Sequence, residues 1–196
     1  MAYIQTIAPD AAQGPVRQMY EGVRGRFGFV PNWAQAFSLR PAVLEGWTGL
    51  LESISSNLPV RTYELATLAA ARAIRSSYCS LAHGSVLADK VFDAPTVTAI
   101  MKDSGPLEPR ERAMMAFAEK VAVSADRVTE ADVEGLRAHG YRDEEIFDVA
   151  AAAAARCFFA KLVDALGVQA DAAFHRLDPA MREALTVGRP VAPRED

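Results

Sequence analysis

The chain is predicted to be all-helical, on three observations. Alanine is the commonest residue, with 37 among 196 positions. Val, Ile and Thr rarely alternate with polar residues over strand-length windows, and no convincing period-2 segment stands out. Prolines, glycines and capping residues recur where helices need to start and stop. About nine helices follow, over 10–25, 31–39, 41–56, 60–75, 77–91, 94–103, 108–124, 129–138 and 143–166, with a short tenth after Pro179. Pro31, Pro41 and Pro179 read as first-turn prolines, the last behind Asp178 as a capping residue. Gly140 and Gly167 fall where a helix ends in a left-handed turn.

The segment 143–166 is apolar on nearly every face, Arg156, Lys161 and Asp164 being the main exceptions, and is predicted to be the central buried helix. By contrast 108–124 and 129–138 each carry a charged and an apolar face and read as covers, the second opening on Thr129 with Asp132 as a capping box. The stretch 187–196, with two prolines and four charges, is expected to be a mobile tail or an arm onto a neighbouring subunit. The chain is expected to form a single all-α domain over 1–196, with N-terminal helices over 1–58, a core over 59–168 and a C-terminal arm over 169–196. A chain of this size buries roughly 70% of its unfolded surface, enough for a core without disulfides or metal.

Net charge is −4, with Lys and Arg scattered along the length. No basic stripe is available to neutralise phosphates, which argues against nucleic acid and against an anionic membrane surface as partners. The longest apolar run, 149–155, is closed by Arg156 and falls far short of the roughly 20 residues a membrane span needs. The first six residues lack a basic region followed by an apolar stretch, so no cleaved secretory signal is expected. Two cysteines, Cys79 and Cys157, make no disulfide framework, and the expected compartment is a reducing cytoplasm.

Reactive residue types gather in one place: Glu64, then Ser76-Ser77-Tyr78-Cys79-Ser80-Leu81-Ala82-His83-Gly84. If Ser76 or Ser77 caps a helix, Cys79 falls in its first turn, where free amides and the helix dipole favour a negative sulfur. His83 lies four residues on and shares the face. Glu64, on the preceding helix, is placed to orient the imidazole and favour its cationic form, giving nucleophile, base and orienting group. The competing reading of the same spacing is a small buried thiol that only packs. A zinc site is disfavoured, because Cys79 and His83 supply two ligands and nothing completes a tetrahedron, so no metal and no cofactor is expected. Cys157, flanked by Phe158 and Phe159, reads as packing; His139 reads as a partner for carbonyls at a helix end, and His175 as a surface residue.

The same residues resemble the AhpD-like alkylhydroperoxidases and carboxymuconolactone decarboxylases, and in particular their peroxidase-related branch. In that family a Glu stands twelve residues before a C-x-x-C-x-x-x-H motif, and Glu64, Ser76, Cys79 and His83 fall at those spacings. Phe27-Gly28-Phe29-Val30-Pro31-Asn32 followed by Arg40-Pro41 is similar to the N-terminal signature of the branch. Pro109-Arg110-Glu111-Arg112-Ala113, Phe117-Ala118-Glu119-Lys120 and Ala165-Leu166-Gly167-Val168 match the helices that close the core. The resemblance implies an AhpD-like helical bundle, assembly into homo-oligomers such as trimers or hexamers, and a thiol-dependent peroxidase with antioxidant activity acting on a small-molecule hydroperoxide.

One departure falls on the motif: the family's first cysteine is Ser76. In the family reaction the His-side thiolate attacks the hydroperoxide, becomes a sulfenic acid, and is resolved by the other cysteine. Serine forms no disulfide, so an oxidised Cys79 would need an external thiol reductant, or Cys157, whose mid-helix sulfur would need backbone movement to reach it. The resemblance gives Cys79 as nucleophile, His83 as proton acceptor and Glu64 as the group that fixes His83. Ser76 is expected to donate a hydrogen bond to the thiolate, and Tyr78 to line the mouth of the substrate pocket. Two other functions stand beside this one: a carboxymuconolactone-decarboxylase-like lyase working by Glu64/His83 proton transfer, and a non-catalytic oligomeric scaffold.

Overall fold

The computed structural model describes residues 2–103 and 105–194. Among them ten α-helices and no strand occur: α1 (Gly14–Phe27), α2 (Asn32–Ala36), α3 (Pro41–Ser55), α4 (Val60–Ala73), α5 (Ser77–Lys90), α6 (Ala94–Met101), α7 (Pro109–Ser124), α8 (Glu130–Ala138), α9 (Asp143–Ala165) and α10 (Pro179–Leu185). The all-helical class holds, and most boundaries fall within two residues of those expected. The first helix is the exception, starting at Gly14 rather than 10, because Pro15 occupies its first turn. The 31–39 segment is divided into α2 and a 3₁₀ turn, Phe37–Leu39.

The caps act as the sequence suggests. The Asp178 carboxylate accepts from the Met181 amide at 2.9 Å, and Asp132 closes a capping box on the Thr129 amide at 2.7 Å. Gly140 and Gly167 take φ of +81° and +73°.

The centre of the bundle is α4, and not α9 as the apolar pattern suggested. Every residue from Tyr63 to Ala71 is buried, and α4 packs against α5, α7 and α9. Its polar residues disguised this role. Thr67 returns its hydroxyl to the Tyr63 carbonyl at 2.8 Å, which satisfies it without water. The long helix α9 instead leaves Phe147 71% and Phe158 48% exposed. Beside it, α3 exposes Val43 and Leu50, and Trp47 of α3 lies 5.6 Å from Phe158, ring to ring. The result is an apolar outer stripe over α3 and α9.

Two close approaches fix α5. Gly84 lies under Leu185 of α10, so near that a Cβ there would stand 2.5 Å from a Leu185 methyl. The segment 187–194, expected as a free tail or an arm onto a neighbour, straps back over its own chain. Gly188 donates its amide to Ser77 Oγ at 2.8 Å, Arg75 Nε donates to the Val187 carbonyl at 3.2 Å, and the Ala192 amide to the Ala170 carbonyl at 2.8 Å. His175, read as a surface residue, is half-buried and holds this strap through the Ala192 carbonyl, 2.9 Å from Nε2. No helix among the described residues is long and apolar enough to cross a membrane.

Candidate active site

The turn between α4 and α5 is what brings the reactive residues together. Ile74 ends α4, Arg75 takes a left-handed φ of +59°, the Arg75 amide returns to the Arg72 carbonyl at 3.0 Å, and the Ser76 amide returns to the Ala71 carbonyl at 2.9 Å. This pair of bonds is a Schellman closure. Ser76 then serves as the first cap of α5 through its backbone, with no side-chain cap bond. The hairpin so formed lays Glu64 of α4 against His83 of α5, with Nδ1 donating to Oε2 at 2.6 Å.

Cys79 is the third residue of α5, in its first turn, and only 2% exposed. Its sulfur receives a contact from Arg156 Nη1 of α9 at 3.7 Å. Arg156 is itself buried and, among the described residues, enters no salt bridge with a carboxylate. Burial opposes its charge, but Cys79 and Tyr63 outweigh that and hold it firmly protonated. Tyr63 packs edge-to-face on His83 at 6.1 Å, its hydroxyl pushed up by burial and drawn back in part by Arg156.

The imidazole is pushed below its ordinary range, first by burial and then by Arg156, against the pull of Glu64. Glu64 favours the cationic imidazole, in the direction expected, but burial and Arg156 outweigh it and leave His83 neutral near pH 7, because desolvation in a dry site costs the charged form more than one carboxylate returns. With Nδ1–H directed at Glu64, Nε2 carries the lone pair and is the atom able to accept a proton.

Among the described residues, Tyr63 Oη and Arg156 Nε at this centre are buried without a hydrogen-bond partner, as are Ser76 Oγ and Ser80 Oγ of the adjoining chain. Ser76 is fully buried, and its hydroxyl makes no bond to the sulfur. It instead eases the Asp164 carboxyl, which burial has pushed up, without reaching hydrogen-bonding geometry. Tyr78 does not line a pocket mouth. It is buried at 4% exposure, its hydroxyl donating to Asp171 Oδ2 and accepting from the Trp33 amide at 3.4 Å. The other Asp171 oxygen accepts the Asn32 amide at 2.8 Å, which ties down the start of α2. Tyr78 turns away because neighbours on a helix diverge by about 100°.

Cys157, expected as a buried packing residue, is half-buried, its sulfur 3.7 Å from the Ala122 carbonyl and its thiol pushed up by burial. Among the described residues no cluster of three His, Cys, Asp or Glu side chains is placed to hold a metal ion. The structure brings Glu64 and His83 of the expected set into contact, with Cys79 one turn earlier on the helix of His83, and adds Arg156 and Tyr63, which the sequence reading missed. A signal for Arg156 existed: it sits in an alanine run with no acidic residue three or four positions either side to pair with it.

No protein-family model and no curated protein matches the chain. Solved structures do. One is described as the alkylhydroperoxidase AhpD core, an uncharacterized peroxidase-related protein from Ralstonia eutropha JMP134; it is 26% identical, with 88% of this chain and 94% of that one covered at a TM-score of 0.78. The chain is AhpD-like in fold. A second, described as an uncharacterized peroxidase-related protein from Silicibacter sp. TM1040, is 21% identical, with coverage of 89% and 91% and a TM-score of 0.74. A third, a cysteine-to-alanine variant of the debrominase Bmp8 in complex with 2,3,4-tribromopyrrole, is 19% identical, with coverage of 94% and 98% and a TM-score of 0.70. The AhpD-like scaffold is thus shared by proteins described by different activities.

Proposed function

We propose that this AhpD-like chain is a thiol-dependent peroxidase with Cys79 as its nucleophile. The observation that supports it best is the buried Glu64–His83 pair at 2.6 Å, set one helical turn from a thiol in the first turn of α5. His83 Nε2 accepts the Cys79 proton, directly or through a water. The thiolate attacks the terminal oxygen of a hydroperoxide; the S–O bond forms as the O–O bond breaks, leaving a sulfenic acid, and the departing alkoxide takes the proton held on His83 and leaves as an alcohol. Sulfur is oxidised by two electrons and the peroxide is reduced by two. With Ser76 in place of a second thiol, an external thiol attacks the sulfenic acid and releases water; a second thiol then frees Cys79 as the disulfide leaves. That requirement fits a reducing compartment such as the cytoplasm. The apolar stripe over α3 and α9 fits burial between copies in a homo-oligomer.

The test is peroxide consumption with a monothiol and with a dithiol reductant. Cys79→Ser is expected to remove turnover by about a thousandfold or more with either donor. A lyase reading is kept open by one feature, the Glu64–His83 pair, which is complete without sulfur. It requires that Cys79→Ser retain activity on a lactone carboxylate while His83→Ala loses it. Ser76→Cys, in the peroxidase reading, gains turnover specific to the dithiol.

A further inference from the structure

Among the described residues Arg156 is the one arginine or lysine that is buried. Its guanidinium is always protonated, it is 5% exposed, and no carboxylate among the described residues pairs with it. An ionised group so enclosed demands a counter-charge, because leaving it alone in a dry interior is very costly. The titratable groups coupled electrostatically to Cys79 are Tyr63 from α4, Tyr78 from its own helix, and Arg156 and Cys157 from α9, with the Glu64–His83 pair on the same hairpin. Glu64 is bonded to His83 at 2.6 Å and forms no ion pair with Arg156, and Tyr78 is bonded to Asp171. Cys157 turns to Ala122, and the Tyr63 hydroxyl is the weaker acid of those that remain. The sulfur in contact with Nη1 at 3.7 Å is left to supply the negative charge.

We propose that Arg156 is the group that holds Cys79 as a resting thiolate, with His83 reserved for proton transfer, and that its unpartnered Nε beside the Tyr63 hydroxyl meets the oxygens of the substrate. The S–O bond forms as the O–O bond breaks, the proton of the attacked oxygen passes by way of His83 Nε2 to the departing alkoxide, and the alcohol leaves while a sulfenate keeps the negative charge beside the guanidinium. Two unspent donors select for a substrate that presents acceptor oxygens, as a hydroperoxide does, and against a cation or an amine. This inference deepens the peroxidase reading and rests on it for the substrate, but the resting thiolate is measurable without turnover.

The experiment titrates the thiolate by ultraviolet absorbance in a Cys157→Ser background, with the Cys157→Ser/Cys79→Ser protein as the blank and melting curves to confirm folding. Arg156→Met is expected to raise the Cys79 inflection by at least about one pH unit, a tenfold loss of thiolate-to-thiol ratio at fixed pH. Arg156→Lys, which keeps the charge but not the planar fork, is expected to raise it by a smaller, measurable amount, and decides the matter if Arg156→Met does not fold. His83→Gln is expected to move it less than Arg156→Met does. Tyr63→Phe leaves the inflection in place and lowers peroxide turnover. An inflection unmoved in both Arg156 variants, or moved further by His83→Gln, overturns the proposal. Peroxide consumption on the same samples keeps the two readings apart. An inflection that depends on Arg156 with no turnover sinks the peroxidase and sustains the ion pair, whereas full turnover with an inflection indifferent to Arg156 does the reverse.

Discussion

Tyr78 and Cys79 are neighbours in sequence, and each enters a buried polar cluster, but the two clusters are finished to different degrees. Around Tyr78 the accounting closes: its hydroxyl meets Asp171 and the Trp33 amide, and the second Asp171 oxygen meets the Asn32 amide. Around Cys79 it does not, since Arg156 Nε and Tyr63 Oη lack partners. Buried polar groups in folded proteins are nearly always paired, so a cluster left incomplete one residue from a complete one marks where a ligand or water belongs. The closed cluster joins α5, α2 and the loop before the 3₁₀ turn Ala172–Arg176, and it reads as architecture. The open one reads as chemistry.

The largest effect that would sharpen this contrast is on the open side. His83→Gln is expected to lower peroxide turnover by about 10²–10⁴-fold, the usual contribution of a positioned base, while the melting temperature shifts little; steady-state kinetics and a thermal melt check both halves. A smaller effect belongs to the closed side. Tyr78→Phe is expected to destabilise the fold by about 1–3 kcal/mol, because the buried Asp171 carboxyl loses a donor, with turnover per folded molecule unchanged. Denaturant unfolding beside peroxide kinetics would break the comparison if turnover fell in proportion to neither stability nor folded fraction.

The smallest effect is a pH slope. His83 is neutral in the fold, its pKa pushed down by burial, while the unfolded imidazole takes up a proton below about 6.5. The unfolded state thus binds more protons as the solution is acidified, and stability present above that pH is lost below it, by at most about 1.4 kcal/mol per pH unit. The difference in unfolding free energy between parent and His83→Gln, followed from pH 7.5 toward 5, isolates this group from the buried carboxyls Asp164 and Asp171. A difference that stays flat would show that folding leaves the His83 pKa unshifted, and a slope of the opposite sign that folding raises it.

What could be read from the sequence was local. Caps at Asp178 and Thr129 and left-handed glycines at 140 and 167 depend on a few adjacent residues. The Glu64–His83 contact follows from two helices joined by a short turn. What could not be read depends on distant packing. Arg156 reaches Cys79 across 77 positions, and in the sequence a lone arginine in an alanine run passes as a solubilising charge. Phe147 and Phe158 made α9 look central, although they face outward. Tyr63, Glu64 and Thr67 give α4 a polar content that hydrophobicity alone would not place at a centre, and each is buried. In both helices hydrophobicity gave the wrong sign because polar groups found partners inside while large apolar ones were left outside.

The passage of Gly188 over the α4–α5 turn has a practical corollary. Its backbone comes so near the Arg75 carbonyl that a Cβ would stand 2.0 Å from the oxygen, and its amide is fastened to Ser77, two residues before the reactive sulfur. Trimming by a carboxypeptidase, or a fusion partner joined just after Leu185, would therefore unbuckle the cradle of Cys79 with every reactive side chain still in the chain. Loss of activity in such a product would report a slackened hinge and not missing chemistry.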